Sequence, residues 1–191
     1  MQERSHSIVA AALVVFGERG FEKASIAQIA ALAGTSDGLI YRYFTGKREL
    51  LAAALAHFYG QTLELAEREI AAGQGFEGKL HALIRSHIRV FGENTGICRL
   101  FIAEVRNFDD YVGSSQQGLN RKYTALLIPV LEAGMDEGVI SHEIDHRLVR
   151  DMVFGGMEHV AWRHIGSGLT MNVDRLARLV SQFVIGGLKA L

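Results

Sequence analysis

Apolar residues recur three and four positions apart in segment after segment, the spacing that lines one face of an α-helix rather than one face of a strand. In the first such segment, from Ser7 to Phe16, the stripe is Ile8, Val9, Ala12, Leu13 and Phe16. Further stripes run from Phe76 to Phe91, Ile97 to Phe108, Leu119 to Met135, Arg147 to Ile165 and Val173 to Leu188. Alternating β-branched runs are scarce, and the 191 residues hold 21 glycines but a single proline, Pro129. Proline breaks helices and glycine marks their ends, so this pairing predicts an all-α chain. With 49% hydrophobic and 21% charged residues, it lies far from the signature of disorder and is long enough to bury a core.

The N-terminal segments have a distinctive punctuation. Gly20 followed by Phe21 reads as the C-cap of the first helix with its hydrophobic contact. Ser25-Ile26-Ala27-Gln28 is a capping box opening a short second helix that stops at Gly34, and Thr35 or Ser36 caps a third from Asp37 to Phe44. Helix, short glycine-containing turn, helix is the helix-turn-helix spacing. After Gly46 a fourth helix starts at Lys47 with Glu49 in its first turn and runs towards Ala72, where Gly73-Gln74-Gly75 breaks it; at 1.5 Å per residue it is about 39 Å long. The predicted division is therefore 1–46, a three-helix unit, and 47–191, a larger helical domain joined to it by the long helix.

The stretch Gly34-Thr35-Ser36-Asp37-Gly38-Leu39-Ile40-Tyr41-Arg42-Tyr43-Phe44-Thr45-Gly46-Lys47-Arg48-Glu49-Leu50, with Ala12, Phe16, Gly20, Phe21, Ile29, Ala30 and Ala33 before it, resembles the DNA-binding domain of TetR-type (TetR/AcrR) transcriptional regulators. Ser25 stands where that family more often has threonine, and Thr35 where it has valine. The resemblance implies a homodimeric repressor on double-stranded operator DNA, with Asp37, Leu39 and Tyr41 towards the bases and Lys47 at the DNA backbone. The physics of the positions agrees. A recognition helix needs small residues at its start and donors for phosphate oxygens. Gly38 and Ser36, beside Thr35, supply the first; Ser25, Arg42, Tyr43 and Lys47 supply the second. Ile40 and Phe44 are read as core. Residues 1 to 50 balance at only +1, but Arg42, Lys47 and Arg48 gather around the recognition helix.

Two enzyme motifs match in letters alone. His142-Glu143-Ile144-Asp145-His146 spells H-E-x-x-H, which holds zinc only when both histidines share one face of a continuous helix. Asp145 is the expected N-cap of the next helix, leaving His142 outside it, so the rival reading of a small zinc hydrolase fails. Gly73-Gln74-Gly75-Phe76-Glu77-Gly78 spells G-x-G-x-x-G but follows a helix, without the strand a dinucleotide site needs. No catalytic constellation, metal site or cofactor is predicted.

In the two C-terminal segments the apolar stripe is too wide for one buried face. Val149, Val153, Gly156 and Val160, with Val180, Phe183 and Gly187, are the expected dimer interface, a four-helix bundle formed with a second copy. Two recognition helices about 34 Å apart would read a palindrome. An effector pocket is expected among Phe91, Phe101, Arg106, Tyr123, Leu127, His159 and Trp162, near a kink that Pro129 should impose around Ala125. Asp145 to Met157 resembles the corresponding helix of the TetR-type regulators of fatty-acid degradation, which implies a long-chain acyl-CoA or fatty acid as effector; a regulator of multidrug efflux is the rival on the same fold. The lone Cys98 makes no internal disulfide, and no apolar run approaches the roughly 18 residues of a membrane span, so a cytoplasmic protein without membrane contact is expected.

Overall fold

The computed structural model describes residues 2–168 and 170–190, and among them there is no strand. The helices are α1 (Gln2–Lys23), α2 (Ile26–Leu32), α3 (Asp37–Tyr43), α4 (Lys47–Ala72), α5 (Gly75–Glu93), α6 (Thr95–Ala103), α7 (Ser115–Thr124), α8 (Leu127–Asp136), α9 (His146–Ser167) and α10 (Val173–Lys189), with a 3₁₀ turn at Val105–Asn107. The chain packs into two compact units that interleave along the sequence: Met1–Gln61 with Asn94–Asn120, and Thr62–Glu93 with Arg121–Leu191.

In the first unit, Ile8, Ala12 and Phe16 of α1 meet Ile29 of α2, Ile40 of α3 and Leu50 and Leu55 of α4, closed by Leu100 and Phe101 of α6 and by Val105. The helices α2 and α3 are seven residues each, too short to persist alone, and are fixed by their ends. Ser25 Oγ accepts the N–H of Gln28 while Gln28 Oε1 accepts that of Ser25, the reciprocal pair expected from the sequence. Ser36, not Thr35, caps α3, its Oγ accepting the N–H of Leu39.

Contacts of α6 with α1 hold the unit together. At their crossing a Cβ on Gly96 would lie 2.4 Å from the carbonyl oxygen of Gly17, so the two backbones touch without an intervening side chain. The expected end of the first helix at Gly20 is a kink: φ 77° and ψ 173° are open only to glycine, and one further turn continues to Lys23. The Glu104 carboxylate fills the place beside this kink, accepting the Phe21 N–H at 2.8 Å. Glu104 is also where the single helix expected over Ile97–Phe108 ends, giving way to the 3₁₀ turn.

The second unit is built on α5, against which α8, α9 and α10 pack. Its interior includes Phe76, Leu80 and Ile84 of α5, Leu127 and Leu131 of α8, Met157 and Ala161 of α9, and Ala177 and Leu188 of α10. The single stripe expected from Leu119 to Met135 is two helices, broken at Ala125 as Pro129 requires. Proline has no N–H for the Ala125 carbonyl, and the N–H of Ile128 bonds it instead at 3.0 Å. Arg89 of α5 makes a two-pronged ion pair with Glu69 of α4, at 2.6 and 3.0 Å, which raises the guanidinium above its ordinary pKa. No helix among the described residues is long and apolar enough to cross a membrane.

Candidate nucleic-acid interface

The outward face of α3 follows directly from its packing. Only Ile40 is buried on this helix, and Phe44 just beyond it enters the core, as read from the sequence. Asp37, Gly38 and Arg42 are exposed, Tyr41 is 57% exposed, and Leu39 is partly exposed. Ser25 and Ser36 are exposed at the starts of α2 and α3, and Thr35 is half-buried between them. Tyr43 is half-buried against the core, its ring 6.4 Å from that of Phe44. The unit thus presents one helix end and one helix face rich in donors, the composition that suits a phosphate backbone and base edges.

The start of α4 is built around aromatic rings. Lys47 Nζ donates to the carbonyls of Glu22 and Ala24, at 3.3 and 3.1 Å, and lies 4.5 Å from the centroid of the Phe21 ring. Its ammonium therefore ties α4 to the end of α1, a role the sequence did not suggest. Arg48 stacks on Phe108, its guanidinium carbon 4.0 Å from the ring centroid, and pairs with Asp110. The Phe21 and Phe108 rings meet edge to face at 5.4 Å. Glu49 folds back onto Thr45, accepting its hydroxyl and its N–H at 2.6 Å each; the hydroxyl bond first and the backbone bond second hold the carboxyl below its usual pKa.

The expected effector residues are divided between the two units. Phe91, Tyr123 and Leu127 are buried in the second unit, where His87 meets Phe91 at 5.0 Å and Phe154 at 4.8 Å edge-on, with Tyr123 at 5.5 Å. Phe101 and Arg106 belong to the first unit, with the Arg106 guanidinium 5.3 Å from the Phe101 ring and Phe101 packed on Tyr59 and Tyr111. His159 is exposed and Trp162 is 40% exposed, because α9 turns them away from the core that Met157 and Ala161 enter.

The expected dimer residues divide in a similar way. Val153 is buried at 6% exposure inside its own unit, so it belongs to the core rather than to an outer face. Val149, Val160 and Val180 are half-buried, while Gly156, Gly187 and Phe183 are exposed, the last at 82%. On the same helices Leu148, Met152 and Leu179 are further large apolar residues that lie exposed. A stripe at three-and-four spacing does not say which of its two edges faces inward, and only the packed partners decide it.

His142 and His146 do not share a helix. Asp145 Oδ1 accepts the N–H groups of Arg147 and Leu148 at 2.8 and 3.1 Å, starting α9 at His146 and leaving His142 in the preceding turn. These bonds, that to Leu148 first, keep the Asp145 carboxyl below its ordinary pKa. Gly73 and Gln74 are the tight connection between α4 and α5, and Gly75–Gly78 opens α5.

The family described as "Bacterial regulatory proteins, tetR family" matches residues 8–54, and "YsiA-like protein, C-terminal region" matches residues 56–187. The "Fatty acid metabolism regulator protein" of Bacillus subtilis (strain 168) is 25% identical over 181 residues, covering 95% of this chain and 93% of that protein. The transcriptional repressor KstR2 of Rhodococcus jostii (strain RHA1) is 26% identical over 184 residues, 93% of this chain and 87% of that one. Among solved structures, the regulator FadR of Bacillus subtilis in complex with stearoyl-CoA has a TM-score of 0.86 at 25% identity, covering 95% of this chain and 98% of its own. The fatty acid degradation regulator FadR of Bacillus halodurans also reaches 0.86, at 26% identity, over 96% and 98% of the two chains. With both its helix-turn-helix segment and its C-terminal region matched, the chain belongs to the tetR family of bacterial regulatory proteins and is a DNA-binding transcription regulator, not an enzyme.

Proposed function

We propose that this chain is a homodimeric repressor that leaves a palindromic operator when it binds a long-chain acyl-CoA or fatty acid. The observation that carries the reading is the likeness, over 95% of the chain, to a regulator solved with stearoyl-CoA. Asp37, Leu39 and Tyr41 are assigned to base edges, and Ser25, Thr35, Ser36, Gly38, Arg42, Tyr43 and Lys47 to the phosphate backbone and the close approach to it. Exposed large apolar residues on α9 and α10, Leu148, Met152, Leu179 and Phe183 among them, support pairing of two copies. An effector can shift the protein only by its differential affinity for the DNA-bound and DNA-free geometries. The phenylalanine- and leucine-rich interior of the second unit supports an aliphatic ligand over a polar one.

Native mass spectrometry of the protein as purified from cells tests this reading, followed by titration of stearoyl-CoA into its complex with a duplex selected from random sequence. A co-purifying acyl-CoA or fatty acid, and release of the duplex on titration, are expected. A duplex that stays bound at saturating stearoyl-CoA and palmitate would overturn the effector assignment.

A further inference from the structure

We propose that Arg48 is a latent phosphate contact, held off DNA by Asp110. Lys47 and Arg48 both follow the recognition helix at the start of α4, yet the structure ties them down in different ways. Lys47 is half-buried and its ammonium donates to two main-chain carbonyls, those of Glu22 and Ala24. Arg48 is held only by side chains: the Phe108 ring beneath it and the Asp110 carboxylate beside it. The pair is on the surface, the two side chains being 49% and 71% exposed. Exposed pairs of this kind contribute little to stability. A guanidinium fork fits a phosphate as well as a carboxylate, and duplex DNA supplies phosphates in a dense negative array. Exchange of Asp110 for a phosphate oxygen is therefore nearly balanced before the field of the duplex is counted, and favourable after it. A cleft of about 240 Å³ lined in part by Arg48, Leu51, Val105, Phe108, Asp110 and Ser114 leaves the guanidinium room to turn. Asp110 follows the 3₁₀ turn after α6, on the segment that begins at Glu104 and its bond to Phe21. The carboxylate that occupies Arg48 is thus positioned by α6, and it subtracts one phosphate contact from the protein's affinity for DNA.

The proposal rests on the chain's binding of duplex DNA, and the experiment separates the two. Equilibrium binding to one mixed-sequence duplex is measured against salt for wild type, Asp110→Asn, Asp109→Asn, Arg48→Met and the double variant Asp110→Asn with Arg48→Met. Releasing Arg48 should steepen the slope of log affinity against log salt by about 0.9 in Asp110→Asn. That is an extra gain of about three- to fourfold between about 200 and 50 mM salt. The neighbouring Asp109→Asn makes the same change in charge and should leave the slope as in wild type. Arg48→Met should abolish the steepening in the double variant. Asp110→Ser must reproduce Asp110→Asn, which guards against an effect of the asparagine itself. A wild-type slope in both Asp110 variants, or a steepening that survives Arg48→Met, would refute the latch. Failure of the wild type to bind the duplex at low salt would refute DNA binding instead.

Discussion

Replacing Gly96 by alanine should loosen the contact between α1 and α6 with one methyl group. The added Cβ would lie 2.4 Å from the Gly17 oxygen and 2.8 Å from its carbon, where ordinary contact begins at 3.4 Å. Both obstructing atoms are backbone, so no side chain can turn aside, and the helices must part by roughly 1 Å along this line. Overpacking of this kind costs about 1–3 kcal/mol. The intrinsic gain of alanine over glycine in a helix, about 1 kcal/mol, is only partly realised in the first turn. A net loss of about 1–2 kcal/mol is expected, or a fall in Tm of about 2–8 °C for a chain of this size. Gly118→Ala, also helical but with nothing within 4 Å, is the internal control and should be neutral or more stable. Urea unfolding of the three proteins at one protomer concentration reads the difference, because the stability of an oligomer depends on concentration. A Gly96→Ala protein as stable as Gly118→Ala would show that the helices do not touch as described.

Phe183→Arg should give monomers in analytical ultracentrifugation with unchanged helical content, since the side chain is 82% exposed on its own protomer and the core does not depend on it. A wild type that sediments as a monomer at micromolar concentration would defeat the proposed pairing. The N-cap Asp145 has a carboxyl held below its ordinary value of 3.8, so its share of stability is present above that pH and drains away as pH falls through it and below. The gap in urea midpoint between wild type and Asp145→Ala should therefore be open at neutral pH and close on acidification. A gap of constant size would mean that the charge of the cap is irrelevant.

Local chemistry made the first seventy residues legible. Ser25 and Gln28 announce α2, the pair Thr35 and Ser36 announces α3, and Gly46 before Lys47 sets the start of α4, because caps and glycine turns are encoded within a few residues. Pro129 announced the break at Ala125 for the same reason. The contacts that join distant segments were not legible. Nothing near Gly96 in sequence says that it meets Gly17, and nothing near Arg48 says that Phe108 and Asp110 will occupy it. Val153 is buried and Trp162 40% exposed, a difference the spacing does not show, because a helix with a broad apolar stripe has two plausible inward faces. The expected effector residues were gathered by type, and Phe101 and Phe91 look alike in a sequence while belonging to different packing units.

The recognition helix has one fully buried side chain, Ile40, while its serine cap and Phe44 hold its two ends. Almost none of the information that places it therefore resides in the residues that would read a base sequence. Asp37, Tyr41 and Arg42 can change without disturbing the core. A regulator made this way can acquire a new operator through a few outward substitutions, keeping its fold and whatever senses its ligand intact. Descendants of one such gene could diverge in the promoters they govern while continuing to answer the same metabolite.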